Sequence, residues 1–171
     1  MTGQPTTVRV KRARGLAVFI LLYPLVALAF RNVPNPMVPG AILAFNMIFP
    51  VLAGYFYGPF SGAVSGATGT AISALLRGSP FDTLSIIPHL IMGLAAGWSG
   101  KYRSDLLSAL TIIIGHVLNL IVYAQWGLLK VSPGWLGPAA LGLAVEATID
   151  VVAIVLIMAW LGPRLYQTER W

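Results

Sequence analysis

Long apolar runs alternate with short polar breaks along this chain, and the breaks define its plan. Six apolar segments stand out, at roughly 15–30, 40–57, 62–76, 84–98, 106–126 and 138–161. Between and after them lie RNVPNP, GP, RGSPFD, GKYRSD, SPGWLGP and a terminal GPRLYQTERW, all rich in residues that interrupt helices. A helix crossing ~30 Å of hydrocarbon needs about 20 residues. The last two segments reach that length, while the third and fourth fall short. Short spans are tolerated where neighbours shield them or the bilayer thins. Helix is the expected conformation, because in lipid each segment must satisfy its own backbone hydrogen bonds. The pattern predicts an all-α integral membrane protein, a six-transmembrane-helix bundle over 15–162. A basic cytoplasmic tail (1–14) would precede it and a cytoplasmic tail (163–171) would follow.

Composition points the same way. Of 171 residues, 57% are hydrophobic and 9% charged, against about 25% charged in soluble domains. The chain has no cysteine, which removes disulfides, thiolate metal sites and cysteine nucleophiles. Its net charge of +6 does not suggest nucleic acid, because the basic residues gather beside the apolar segments. With the N-terminus inside, the cytoplasmic side collects Arg9, Lys11, Arg12, Arg14, Lys101, Arg103, Arg164 and Arg170, leaving Arg31, Arg77 and Lys130 outside. This distribution follows the positive-inside rule and predicts that both termini are cytoplasmic. RVKRAR, followed by an apolar stretch ending in Ala27-Leu28-Ala29, resembles a secretory signal. Five further segments follow it, so it is read as an uncleaved first helix.

The stretch VLAGYFYGPFSGAVSGATGTAISALL, residues 51–76, carries glycine every fourth residue at Gly54, Gly58, Gly62 and Gly66. Residues four apart share a helix face, and glycine on such a face lets a neighbouring backbone come close. Gly58-Pro59 marks a tight hairpin between the second and third segments. Gly93 and Gly97 repeat the spacing in the fourth.

That hairpin, the short SPFD loop and IIPHLIMGLAAGWSG together resemble the substrate-binding S components of energy-coupling factor (ECF) vitamin transporters. The resemblance covers about 13–162. It implies six helices, cytoplasmic termini and no catalytic role. It also implies a prokaryotic cell-membrane location, a vitamin-like substrate bound from outside, and, in trans, a transmembrane coupling subunit with two ATPase subunits. In the family an Ala-x-x-x-Ala patch on the first helix docks on the coupling subunit, and Ala13 and Ala17 fit it. A partial likeness to the thiamine-binding branch sets His116, Trp126 and Glu146 (after Leu143-Ala144-Val145) in comparable places.

Ionisable residues inside spans are costly and mark functional positions. Glu146 and Asp150 lie four apart in the sixth segment, and His116, Asn119, Tyr123 and Trp126 lie on or near one face of the fifth. At 1.5 Å per residue, His116 is about 16 Å beyond Asp105, and Asp150 about 18 Å beyond Pro138. In antiparallel helices those depths put His116 level with Asp150, and Asn119 near Glu146. Tyr123, Trp126 and Trp135 would ring the outer mouth of a cup with acid at its base. His116 and Asp150 could equally form an internal pair that pins two helices. His89 and Asn46 are further candidate pocket residues, while Asp82 reads as a capping or turn residue. Arg31 and Arg77 are expected to snorkel to the outer interface.

No cofactor or metal is expected: the chain has neither a GxxxxGK[ST] nor an HExxH motif. The alternative to a substrate-capture subunit is a structural membrane scaffold of the rod-shape-determining MreD type, which is similar in size, span number and glycine-rich hairpin.

Overall fold

A computed structural model describes residues 6–35, 43–102, 104–129, 134 and 136–165. Among these described residues six α-helices make up the fold: α1 Thr6–Ala29, α2 Ile48–Tyr57, α3 Pro59–Arg77, α4 Pro80–Lys101, α5 Asp105–Gln125 and α6 Leu136–Leu165. A 3-10 turn, Phe45–Met47, leads directly into α2. Helix α1 therefore reaches back through the basic RVKRAR stretch.

Four helical stretches are long and apolar enough to cross a membrane: Val10–Ala29, Pro80–Lys101, Asp105–Gln125 and Ala140–Pro163. Their outward faces show what surrounds them. On α6, Leu141, Val145, Ile149, Val152 and Leu156 are exposed at helical spacing, and on α5 so are Ile113, Ile114, Val117 and Ile121. The opposite stripe of α6, Glu146, Asp150, Ile154 and Met158, is buried. Apolar stripes this long on the outside suit lipid and not water.

The short element is the second helix, and not the third or fourth as segment lengths suggest. Helices α3 and α4 gain length by running through residues that are helical without being apolar. Pro59 and Pro80 each open a helix at a position where a missing N–H does no harm. Ser79 caps α4 by accepting the Asp82 N–H at 3.4 Å, and Ser104 caps α5 by accepting the Leu107 N–H at 3.1 Å. The apolar Phe45–Tyr57 stretch is too short to cross. It is enclosed instead: every residue from Phe49 to Phe56 is buried, and α2 touches α1, α3, α4, α5 and α6. A helix that is apolar all round belongs at the centre of a bundle.

Helix α3 is weakly apolar because its packed face is built from small residues, Gly62, Ser65, Gly66, Gly69, Thr70 and Ser73, all buried. A Cβ on Gly62 would run into the Gly93 carbonyl, one on Gly93 into the Gly62 carbonyl, and one on Gly66 into the His89 carbonyl. The α3 and α4 backbones thus touch directly. Gly54 faces Gly93 and Gly97, and Gly97 faces Pro59. Gly58 turns α2 into α3 with φ 97°, a conformation that favours glycine. Phe19 stacks on Phe56 with centroids 6.4 Å apart, bringing α1 against the same core.

Candidate functional site

Polar side chains converge at the end of the bundle where α3 turns into α4. Only Gly78 and Ser79 separate those helices, so Arg77 and Asp82 face each other across the turn. Arg77 Nη1 lies 3.1 Å from Asp82 Oδ2, and Ser73 donates to the same oxygen at 2.7 Å. Arg77 is thus committed to an ion pair, a partner the sequence reading does not assign it. The opposite charges at the two ends of RGSPFD were the available signal.

One layer deeper, His89 is a buried hub. Its Nδ1 meets the Tyr23 hydroxyl at 2.7 Å and the Thr70 hydroxyl at 2.9 Å. Its Nε2 meets Asn119 Nδ2 at 3.0 Å. Four helices, α1, α3, α4 and α5, are joined through one imidazole. The Asn119 carbonyl oxygen is buried without a partner among the described residues. Tyr123 shares a short hydrogen bond with Ser85 and packs edge-on against Phe81, with centroids 5.0 Å apart.

Between them lies a cavity of about 50 Å³, with walls that include Tyr23, Asn46, Arg77, Asp82, His89 and Asn119, together with Phe81, Ser85 and Tyr123. Four residues singled out from the sequence, Asn46, His89, Asn119 and Tyr123, are therefore neighbours around it. Tyr23, Thr70, Ser73, Ser85 and Arg77 were not foreseen. A tyrosine or a small hydroxyl residue inside an apolar run gives no sequence signal of its inward polar tip.

The other candidates lie elsewhere. His116 Nε2 sits 3.0 Å from Asp150 Oδ2, both side chains buried. The level estimated from helical rise is the level found, and the two residues bind each other. Neither lines the cavity around His89. Glu146 is buried and turned toward the segment preceding α2. Its Oε2 accepts from Asn35 Nδ2 at 2.7 Å and its Oε1 from the Ala44 N–H at 2.6 Å. It borders a separate, mainly apolar cavity of about 150 Å³ with Leu43, Leu141 and Ile149. The carboxylates of α6 therefore do not form the floor of a shared cup: one is held by His116, the other by backbone and amide donors. Trp126 is 71% exposed just past α5, and Trp135 lies outside the described residues. Ala13 and Ala17 are exposed on α1, beside exposed Val10, Val18 and Leu21. Among the described residues no three potential metal ligands cluster.

Comparison with known proteins adds a family. The family model for the S component of the ECF-type riboflavin transporter matches residues 10–168, which takes in α2 to α6 and all of α1 but its first four residues. The chain matches no curated protein and no solved structure. The match supports the transport reading, and nothing found favours the scaffold alternative; it also points to the riboflavin rather than the thiamine branch. The apolar stripes, the buried polar hub and this match have one meaning: the chain is a multi-pass membrane protein belonging to the ECF-type riboflavin transporter S component family.

Proposed function

We propose that this chain captures riboflavin or a closely related flavin outside a prokaryotic cell. It would release the vitamin inward after docking on a transmembrane coupling subunit powered by two ATPase subunits. The family match over residues 10–168 carries this reading. The chemistry of the cavity around His89 is compatible with it. A flavin offers a flat aromatic ring system with alternating N–H and C=O groups on one edge, and a chain of hydroxyls. Asn46 carries both a donor and an acceptor, and the unpartnered Asn119 oxygen suits a ring N–H. The Phe81–Tyr123 pair supplies aromatic surface.

A volume of about 50 Å³ admits little more than a water or two, whereas ligand pockets occupy roughly 300–1,000 Å³. Substrate binding therefore needs the walls to part. Ala44, and Asn46 of the 3-10 turn, stand in the cavity wall, and Glu146 holds the Ala44 N–H as well as the Asn35 amide. We assign Glu146 the role of a latch that holds Ala44 and the 3-10 turn in the cavity wall. Ala13 and Ala17 leave a flat stripe on α1 for the coupling subunit. The basic N-terminal stretch sets that end of α1 on the cytoplasmic side, so the α3–α4 turn faces outward.

Uptake of radiolabelled riboflavin by cells lacking their own riboflavin transporter tests the proposal. Uptake should appear when this chain is expressed with a coupling subunit and its ATPases. Uptake no higher than in cells with the coupling module alone would refute it.

A further inference from the structure

A second cavity, of about 290 Å³, opens between the last residues of α1 and α3 and is lined by Leu28, Arg31, Asn32, Leu76, Arg77 and Ser79. It abuts the cavity around His89, since Arg77 and Ser79 line both. Its chemistry is divided. Two guanidinium groups, an amide and a hydroxyl supply donors, while Leu28 and the 60% exposed Leu76 supply an apolar edge at the boundary of the bundle.

The charges do not cancel. Arg77 is bound to Asp82 through Nη1 alone, which leaves its Nη2 and Nε donors for another acceptor. The exposed Arg31 has no side-chain partner among the described residues. Across the two adjoining cavities the charged lining groups are Arg31, Arg77 and Asp82, a surplus of one positive charge. Two arginines from different parts of the chain lining one cavity, with neutral donors beside them, are suited to a tetrahedral oxyanion.

We infer that this vestibule binds a phosphate group. The phosphate is carried by an anionic phospholipid whose chains run along Leu28 and Leu76, or by a soluble phosphate ester. Arg77 and Ser79 are shared with the cavity around His89, while Leu28, Arg31, Asn32 and Leu76 line this vestibule and not that cavity, so Arg31 tests the inference separately from the riboflavin assignment.

The test is native mass spectrometry of the full chain in detergent with dioleoylphosphatidylglycerol in one arm and sn-glycerol 3-phosphate in the other. One equivalent should be retained in one arm, and that arm identifies the source. Retention should fall about five-fold in Arg31→Gln, the weight of one arginine at a phosphate-rich surface. Lys101→Gln, an exposed basic residue at the opposite end of α4, should retain as much as the unsubstituted chain. Retention in neither arm, or equal loss in the two variants, would overturn the inference.

Discussion

Several buried polar residues have a named partner, so single substitutions should separate structure from binding. His116 and Asp150 bind each other at 3.0 Å with Asp150 fully buried. Asp150→Ala would strand the imidazole and should lower stability by about 3 kcal/mol, read from thermal unfolding in detergent. Asp150→Asn, which keeps a polar partner for His116, should lose clearly less. Riboflavin affinity of the folded fraction should be unchanged in both; a stability loss below about 1 kcal/mol for the alanine variant would contradict the pinning role. Tyr123→Phe removes a hydroxyl that, among the described residues, hydrogen-bonds Ser85, and Ser85 keeps its bond to the Phe81 carbonyl at 2.8 Å. Stability should therefore change by about 1 kcal/mol or less. If the hydroxyl contacts the vitamin, affinity should fall about ten-fold, the equivalent of ~1.4 kcal/mol. Unaltered binding would remove Tyr123 from the site.

Among the elements, the α3–α4 contact is the tightest, because it rests on glycine facing glycine. Gly62→Ala or Gly93→Ala would each push a methyl into a backbone carbonyl. Overpacking of this sort costs about 1–3 kcal/mol, and the damage should spread to the His89 hub, since Thr70 and His89 meet across the same interface. Both variants should bind riboflavin more weakly and unfold at lower temperature than Thr68→Ala, a control at an exposed position of α3. Equal behaviour of Gly62→Ala and Thr68→Ala in both measurements would show that the helices have room to part. The glycine spacing announced this contact in the sequence. The short second helix was harder to foresee, because hydropathy continues upstream of it through Ala41, Ile42, Leu43 and Ala44 although its helical turns begin at Phe45. The acid pair of α6 divided its roles for a similar reason. Helical rise gives the depth of Glu146 and Asp150 but not their partners, and Asn35, which holds Glu146, lies 111 residues away in a loop without periodicity.

For the whole molecule, substrate capture and inward delivery should be separable. The stripe at Ala13 and Ala17 is exposed and precedes Tyr23, the α1 residue that reaches the cavity. Ala17→Trp should abolish riboflavin uptake in cells supplied with the coupling module while leaving binding by the purified chain unchanged. Loss of both would place Ala17 in the fold rather than at a docking surface. The latch gives the opposite signature. Glu146→Ala releases Asn35 and the Ala44 N–H, and should speed both association and dissociation of the vitamin in stopped-flow traces. Rates that stay within about two-fold of the unsubstituted chain would refute the latch.

The central claim is that this bundle is a flavin receptor by itself, before any coupling subunit or ATPase is added. Titration of the purified full-length chain with riboflavin, following flavin fluorescence, tests it most directly. The account predicts saturable quenching at one vitamin per chain, lost on substituting alanine for both Asn119 and Tyr123. No saturable change with riboflavin, or the same change in that double variant, would contradict it.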